Sequence, residues 1–210
     1  MIRGLLMIKR IIFDIDGTLI KGVNFKQYVS NALKQYGIDD IEQTSKFIAN
    51  IKTYEEKYSS YNRALYLAHF SNVLGVKLNS DFLEIFFNEL KNAVPKDSSK
   101  VKDMLDSLTD YELVLLSNYF EESQRNRLTT MGINDYFTEY YGEKIIKPNI
   151  EVYNQAKGIY IPQECIIVGD DKILDIEIPQ SLGFKTIYVN ETGNVKTVEE
   201  ITPQLVKKYN

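Results

Sequence analysis

Four short, nearly continuous apolar runs constrain the fold of this chain more than any other feature of its sequence. Stretches with helical periodicity separate them, and such runs are typical of parallel strands buried on both faces of a sheet. The alternation predicts an α/β fold with a doubly wound, Rossmann-like parallel sheet. The runs are Lys9–Phe13, Leu113–Leu116, Cys165–Val168 and Lys185–Val189, with Glu139–Lys144 as a weaker fifth candidate.

Residues 24–92 interrupt this alternation, because they contain no strand candidate. Apolar and aromatic residues from Phe47 to Ala68 follow one another at intervals of three and four, with an interruption at Ser59–Ser60. This stripe predicts helices. It favours packing inside a helical bundle, and a coiled-coil seam between two chains is the alternative.

Capping signatures and flanking residues define the limits of this helical stretch. Asp40 with Gln43, and Asp81 with Glu84, have the spacing of capping boxes that begin helices. We therefore predict an all-helical domain inserted after the first strand. The predicted division is a Rossmann-like core of residues 1–20 and 96–210 and an inserted domain of residues 21–95, with hinges near Gly22 and Pro95.

The charge balance and the single cysteine exclude several classes of protein. Among 210 residues, 25 Lys and Arg face 29 Asp and Glu without a basic run, so nucleic acid is not expected as a partner. Cys165 cannot form an intrachain disulfide and fits a reducing compartment. No apolar run approaches the ~20 residues of a membrane span, and Leu5–Ile8 is too short for a signal peptide. We expect a cytoplasmic protein that starts at Met1 or Met7; its oligomeric state stays open.

Polar side chains follow the predicted strands at their carboxyl ends, where ligands bind in an open α/β sheet. Two aspartates follow the first strand at positions i and i+2, so both can point into one site. The candidate residues are Asp14 and Asp16 after the first run, Ser117 and Asn118 after the second, Lys147 shortly before a predicted helix over Ile150–Tyr160, and Asp170, Asp171 and Asp175 after the third run.

Four or five carboxylates and one lysine would form a strongly negative pocket. Without a cation the carboxylates would repel one another and their pKa values would rise. Oxygen ligands favour Mg²⁺, which prefers a phosphate as a further ligand. Each element alone is also compatible with an ordinary turn or a solvated lysine, but their shared position at the strand ends favours one site for Mg²⁺ and phosphate.

These motifs resemble those of the haloacid dehalogenase-like hydrolases. The segment DIDGT (Asp14–Thr18) is similar to the first motif of that family, and LLSN, which ends at Asn118, is similar to the second. Lys147 with its following proline is similar to the third motif, and GDDKILD (Gly169–Asp175) to the fourth. The resemblance covers roughly residues 7–20 and 96–190, and the inserted helices resemble the helical cap of the family.

The resemblance implies different catalytic roles for the two carboxylates of the first motif. Asp14 would attack phosphorus and form an aspartyl-phosphate. Asp16 would protonate the leaving oxygen and then deprotonate the attacking water. Asp14, the backbone carbonyl of Asp16, and Asp170 would hold Mg²⁺.

The resemblance also implies the groups that would hold the phosphoryl oxygens, namely Ser117, Asn118 and Lys147. Asp175 would orient Lys147 or a metal-bound water, and Asp171 could share that supporting role. The chain departs from the family pattern in the stretch after the last motif, where Pro179 is expected to alter the helix.

The resemblance favours a Mg²⁺-dependent phosphatase that hydrolyses small phosphomonoesters, such as nucleotide, sugar or organic-acid phosphates. The sequences around the second and third motifs look most like those of the nucleotidase and phosphoglycolate-phosphatase branches of the family. Asp16 argues against a dehalogenase, which needs no proton donor for its leaving group. A phosphosugar mutase of the same family and a non-catalytic binding module are the alternatives. The expected partner is a small phosphorylated metabolite, neither nucleic acid nor membrane.

Overall fold

Five parallel strands form one sheet in the computed structural model, which describes residues 7–210. Their order across the sheet is third, second, first, fourth, fifth, so the first strand is central. This is the predicted doubly wound α/β fold, and the prediction is confirmed. The predicted lack of a secretory signal rests on residues 1–6, which lie outside the described residues. The strands are β1 (Arg10–Phe13), β2 (Glu112–Leu116), β3 (Tyr140–Tyr141), β4 (Cys165–Gly169) and β5 (Lys185–Tyr188).

Helices cover both faces of the sheet. The side chains of each strand alternate between the two faces, and since both sets are apolar, both faces must be buried. Ile11 and Phe13 belong to one apolar cluster, whereas Ile12 between them belongs to another. None of the helices within residues 7–210 is long and apolar enough to span a bilayer. The α-helices described are α1 (Phe25–Gln35), α2 (Ile41–Ala49), α3 (Ile51–Tyr58), α4 (Arg63–Leu74), α5 (Ser80–Leu90), α6 (Ser99–Ser107), α7 (Glu121–Thr130), α8 (Ile150–Ala156), α9 (Ile178–Ser181) and α10 (Pro203–Lys207).

The helices α1 to α5, here called the insert helices, share an aromatic core of their own. Phe47 lies at its centre and stacks on Phe70 with ring centroids 4.1 Å apart. Tyr54, Tyr61 and Tyr66 are buried in the same cluster. Their burial within one chain agrees with bundle packing of the predicted stripe.

The ends of the insert helices correct one of the two predicted caps. Asp40 caps α2 and accepts a hydrogen bond from the backbone N–H of Glu42, but Gln43 does not complete the box. At α5 the predicted cap is wrong, because Asn79 accepts the backbone N–H bonds there and Asp81 lies in the first turn. An asparagine oxygen satisfies the same free N–H groups as an aspartate oxygen does.

Two prolines lie close to the predicted site residues. Pro148 lies outside the helix that follows the third motif, since Asn149 caps α8 and the helix begins at Ile150. Pro179 lies at the start of α9, directly after a π-helical segment, Lys172–Glu177. A proline cannot donate a backbone hydrogen bond, and the segment before it has the expected altered geometry.

The insert helices pack over the carboxyl ends of the strands. Tyr119 and Phe120, which follow β2, belong to the aromatic core of the insert. The backbone N–H of Tyr61 donates to the carbonyl of Glu143 at 2.7 Å. The edge of the sheet at which the candidate residues converge therefore lies beneath the insert.

Candidate active site

The turn after β1 brings the first motif against the fourth. The backbone N–H of Asp14 donates to the carbonyl of Val168 at 2.9 Å, which aligns the ends of β1 and β4. Gly17 has a φ of +85°, and a Cβ there would lie 2.1 Å from Oδ2 of Asp170. Only glycine allows this approach, so the turn sets the distance between Asp170 and the two aspartates of the first motif.

Lys147 supplies a buried ammonium group between two carboxylates. Its Nζ lies 2.9 Å from Oδ1 of Asp14 and 2.7 Å from Oδ1 of Asp175. Burial opposes the charge of Lys147, but the two carboxylates outweigh burial and raise its pKa. Lys147 is therefore a cation at neutral pH, in contact with the aspartate predicted to be the nucleophile.

Three carboxylates converge closely enough to share one cation. Asp14, Asp170 and Asp175 each offer an oxygen, and these atoms lie within 4.8 Å of one another. Burial raises the pKa of Asp14 to about 8, and the charge of Asp175 adds to the rise while Lys147 opposes it. Burial, followed by the charge of Asp175, also raises the pKa of Asp170. Three carboxylates share a single nearby ammonium group, so their negative charge is not fully compensated. Their oxygen atoms are suitable ligands for a divalent cation such as Mg²⁺.

The predicted supporting aspartates have different contacts. Asp175 binds Lys147 and also accepts the backbone N–H of Asp171 at 3.1 Å. Asp171 is exposed, and its Oδ1 accepts the backbone N–H groups of Ile173 and Leu174, both at 2.8 Å. The side chain of Asp171 therefore caps the π-helical segment, whereas Asp175 reaches the centre of the site.

The two polar residues after β2 also differ in their contacts. Ser117 is buried, and its hydroxyl accepts a hydrogen bond from Gln124 Nε2 at 3.3 Å. Asn118 accepts the backbone N–H of Lys147 at 2.8 Å and donates to the carbonyl of the same residue at 3.0 Å. This pair of bonds holds Lys147 in place, and a contact of Asn118 with phosphate stays a prediction.

Asp16 lies at the mouth of the site and has two partners that sequence reasoning missed. Its Oδ1 lies 2.7 Å from Nη1 of Arg127, and its Oδ2 accepts from Gln124 Nε2 at 2.7 Å. The guanidinium of Arg127 also donates to the carbonyl of Ala93 at 3.0 Å, just beyond the last insert helix. Arg127 thus links Asp16 to the segment that leads out of the insert.

Glu55 on α3 is the insert residue that reaches the site, and it too was missed. Its carboxylate lines the pocket that contains Asp14, Ser117 and Lys147, a space of about 270 Å³. The hydroxyl of Tyr61 donates to its Oε1 at 2.7 Å. Burial raises the pKa of Glu55, against the effect of the Tyr61 hydroxyl.

A second cavity of about 410 Å³ adjoins this pocket, between the insert helices and the sheet. Glu55, Asp16 and Asn118 line both spaces. The other walls are mainly apolar and aromatic, and they include Ile20, Val23, Phe25, Ile51, Leu90 and Tyr119.

Comparisons with known proteins concern the family and the fold. The sequence model of a family described as "Hydrolase: haloacid dehalogenase-like hydrolase" matches residues 8–183. The HAD-hydrolase YfnB from Bacillus subtilis, bound to magnesium, is 18% identical with a TM-score of 0.66, over 90% of this chain and 92% of that chain. The HAD family enzyme BT-2542 from Bacteroides thetaiotaomicron, in complex with magnesium and inorganic phosphate, is 22% identical with a TM-score of 0.63, over 88% and 96%.

A dehalogenase is also among the similar structures. The L-2-haloacid dehalogenase from Xanthobacter autotrophicus is 16% identical with a TM-score of 0.63, over 96% of this chain and 82% of that chain. No curated protein matches the chain. At these identities the solved structures establish the fold alone, and the choice between reactions depends on the residues of the site.

Proposed function

Because the chain belongs to the haloacid dehalogenase-like hydrolases, we propose that it is a Mg²⁺-dependent phosphatase that hydrolyses small phosphomonoesters through an aspartyl-phosphate. The carboxylate of Asp16 is the observation that carries the proposal. It lines the same pocket as Asp14 and lies at the boundary with the larger cavity. A leaving alkoxide needs a proton, whereas a leaving halide does not, so a second carboxylate at this place favours phosphoryl transfer.

In the first half-reaction, an oxygen of Asp14 forms a bond to phosphorus as the ester P–O bond breaks. Protonated Asp16 gives its proton to the leaving oxygen, so an alcohol departs into the larger cavity. Lys147 contacts Asp14, and together with the Ser117 hydroxyl it would bind the non-bridging phosphoryl oxygens.

In the second half-reaction, Asp16 takes a proton from a water molecule whose oxygen attacks the phosphorus of the aspartyl-phosphate. The bond between phosphorus and the Asp14 oxygen breaks, and inorganic phosphate and the free carboxylate form. Arg127 and Gln124 hold the two oxygens of Asp16, which supports one fixed position from which that carboxylate serves the leaving oxygen first and the water afterwards.

Asp14 and Asp170 would hold Mg²⁺, with the backbone carbonyl of Asp16 as a further ligand and Asp175 beside them. When bound, the ion offsets the negative charge of the carboxylates and of the phosphoryl group. The cluster of three carboxylate oxygens within 4.8 Å supports this assignment.

We further propose that residues 21–95 act as a cap that closes over the bound substrate. The larger cavity lies between the insert helices and the sheet, and a lid in this position would exclude water from the phosphoryl group. The structure of YfnB is described as revealing interdomain movement, and an equivalent opening here would release the product.

Turnover of p-nitrophenyl phosphate by the purified protein tests the proposal. Wild-type protein with Mg²⁺ should release phosphate. Asp14→Asn should lower kcat at least about 1,000-fold, because the variant lacks the carboxylate that attacks phosphorus and the remaining residues of the site cannot replace it. Asp103→Asn, an exposed substitution on α6, is the matched control and should leave kcat unchanged. A tenth of wild-type activity in Asp14→Asn, or release of chloride from 2-chloropropionate at a comparable rate, would contradict the proposal. A mutase would instead depend on an added sugar bisphosphate.

A further inference from the structure

Glu55 presents a carboxylate to both the catalytic pocket and the adjoining cavity. The hydroxyl of Tyr61 donates to one of its oxygens at 2.7 Å, and the amide of Asn118 also lies beside it. A carboxylate can accept about four hydrogen bonds. Glu55 therefore has acceptor capacity left on the side of the space that a leaving group would occupy.

The two positive charges of the larger cavity are placed differently, one paired and buried and one at the exposed surface. Among the described residues that line this space, the cations are Lys21 and Arg127. Arg127 binds Asp16 and the carbonyl of Ala93, and Nζ of Lys21 donates to the carbonyl of Lys196 at 3.1 Å. The Lys196 carbonyl leaves the charge of Lys21 uncompensated, but Lys21 is exposed and solvent screens it. An anionic group on the substrate would therefore meet the half-buried Glu55 with little compensation from a cation.

We propose that Glu55 selects phosphomonoesters whose leaving group offers it a hydrogen-bond donor, such as a hydroxyl, and disfavours leaving groups that carry a carboxylate. The inference rests on the proposed phosphatase function and assigns the substrate class of that site. Two carboxylates in a partly buried space repel one another, whereas a hydroxyl would satisfy a free acceptor of Glu55. Glu55 would then give specificity in two ways, by repelling leaving groups that carry a carboxylate and by attracting leaving groups that carry a hydroxyl.

A set of three-carbon substrates tests this selection. Glycerol 3-phosphate offers hydroxyl donors, propyl phosphate has none, and 3-phosphoglycerate has a carboxylate in place of the terminal hydroxymethyl group. Wild-type protein should have its highest kcat/KM on glycerol 3-phosphate and its lowest on 3-phosphoglycerate. The ratio between these two should be at least about tenfold, equivalent to about 1.4 kcal/mol.

Glu55→Gln keeps the size of the side chain and removes its charge, so it should reduce that ratio at least threefold. Glu56→Gln is the matched control, because Glu56 is the next residue of the same helix and is exposed; it should keep the wild-type ratio. Tyr61→Phe, which removes the hydroxyl that holds Glu55, is a second variant and should also reduce the ratio. Thermal melting of each variant checks that it is folded.

The outcomes separate the two proposals. If wild-type protein does not hydrolyse p-nitrophenyl phosphate, the proposed function and this inference both fail. If it hydrolyses that ester but uses 3-phosphoglycerate as well as glycerol 3-phosphate, only the inference about Glu55 is overturned. An unchanged ratio in folded Glu55→Gln overturns it as well.

Discussion

Arg127→Met should weaken both the stability and the catalytic step, because Arg127 joins three parts of the molecule. Its side chain is 4% exposed, and its guanidinium contacts Asp16, Gln124 Oε1 and the Ala93 carbonyl. Methionine fills a similar volume but donates no hydrogen bond. The substitution leaves the amide oxygen of Gln124 and the carbonyl of Ala93 buried without this donor.

The expected loss of stability follows from these two acceptors. A buried acceptor left without a partner costs about 1–3 kcal/mol, so two give roughly 2–6 kcal/mol. The ion pair with Asp16 adds no more than ~1 kcal/mol, because the side chain of Asp16 is 53% exposed. Packing of the methionine against the same walls recovers part of the loss. We therefore expect a decrease of about 2–4 kcal/mol in the free energy of unfolding, measured by urea denaturation.

The expected effect on activity follows from the position of Asp16. Without Arg127 the carboxylate keeps only its bond to Gln124 and can turn toward solvent. Because a positioned general acid contributes about 10²–10⁴-fold to the rate, we expect kcat on an alkyl phosphate to fall about 10- to 100-fold, with a smaller change in KM. Arg127→Lys should recover only part of kcat, since an ammonium group lacks the planar fork that reaches two partners.

Arg125→Met is the control, because Arg125 lies on the same helix but pairs with Glu121 and Asn134. It should lower the free energy of unfolding by less than ~1 kcal/mol and leave kcat unchanged. Wild-type stability and wild-type kcat in Arg127→Met would refute the argument. Equal losses of unfolding free energy and of kcat in the two variants would show that any arginine substitution on α7 has this effect, and that the contacts of Arg127 are not its cause.

Three other predictions concern the metal, the lid and the cysteine. Asp170→Ala should raise the Mg²⁺ concentration for half-maximal activity at least about tenfold, and an unchanged requirement would remove Asp170 from the ligand set. The kcat/KM for the best small phosphomonoester should exceed that for a phosphopeptide by ~100-fold or more, roughly 3 kcal/mol; comparable rates would argue against a closing cap. Burial raises the pKa of Cys165 to about 12, so the native protein should not react with a thiol reagent until it unfolds, and rapid reaction of the folded protein would contradict the burial of this residue.

The sheet and the strand-end residues could be predicted because their signals are local in sequence. A strand buried on both faces must be apolar over its whole length, and Ile11, Ile12 and Phe13 meet this requirement within three consecutive positions. The polar residues that follow each strand lie at one edge of the sheet, because the carboxyl ends of parallel strands meet there. The third strand has a weaker sequence signal, because it is only the pair Tyr140–Tyr141 at the edge of the sheet.

Gln124 and Arg127 could not be recognised in the same way, because their burial depends on a distant part of the chain. The buried face of α7 carries Ser123, Gln124 and Arg127 as well as Leu128, so it has no apolar stripe to predict which side faces inward. The available signal was indirect. A helix with a mostly polar sequence directly after a catalytic motif needs polar partners, and here these are Asp16 and the Ala93 carbonyl.

The partner of Glu55 could not be predicted, because the helical phase of the stripe changes between Glu55 and Tyr61. The stripe continues through Leu65, but Leu65 is 40% exposed whereas Tyr66 is buried. The cause is the turn after α3, where Ser59 has a φ of +51° and the helix ends, so the next helix begins with a new rotation about its axis. The same turn brings Tyr61 back against α3, where its hydroxyl holds Glu55. The rotation of α3 itself separates the two adjacent glutamates, since Glu55 lies one turn after Ile51 and lines the same cavity, whereas Glu56 is exposed. The contact of Glu55 with Tyr61 depends on the turn, and periodicity across the turn does not predict it.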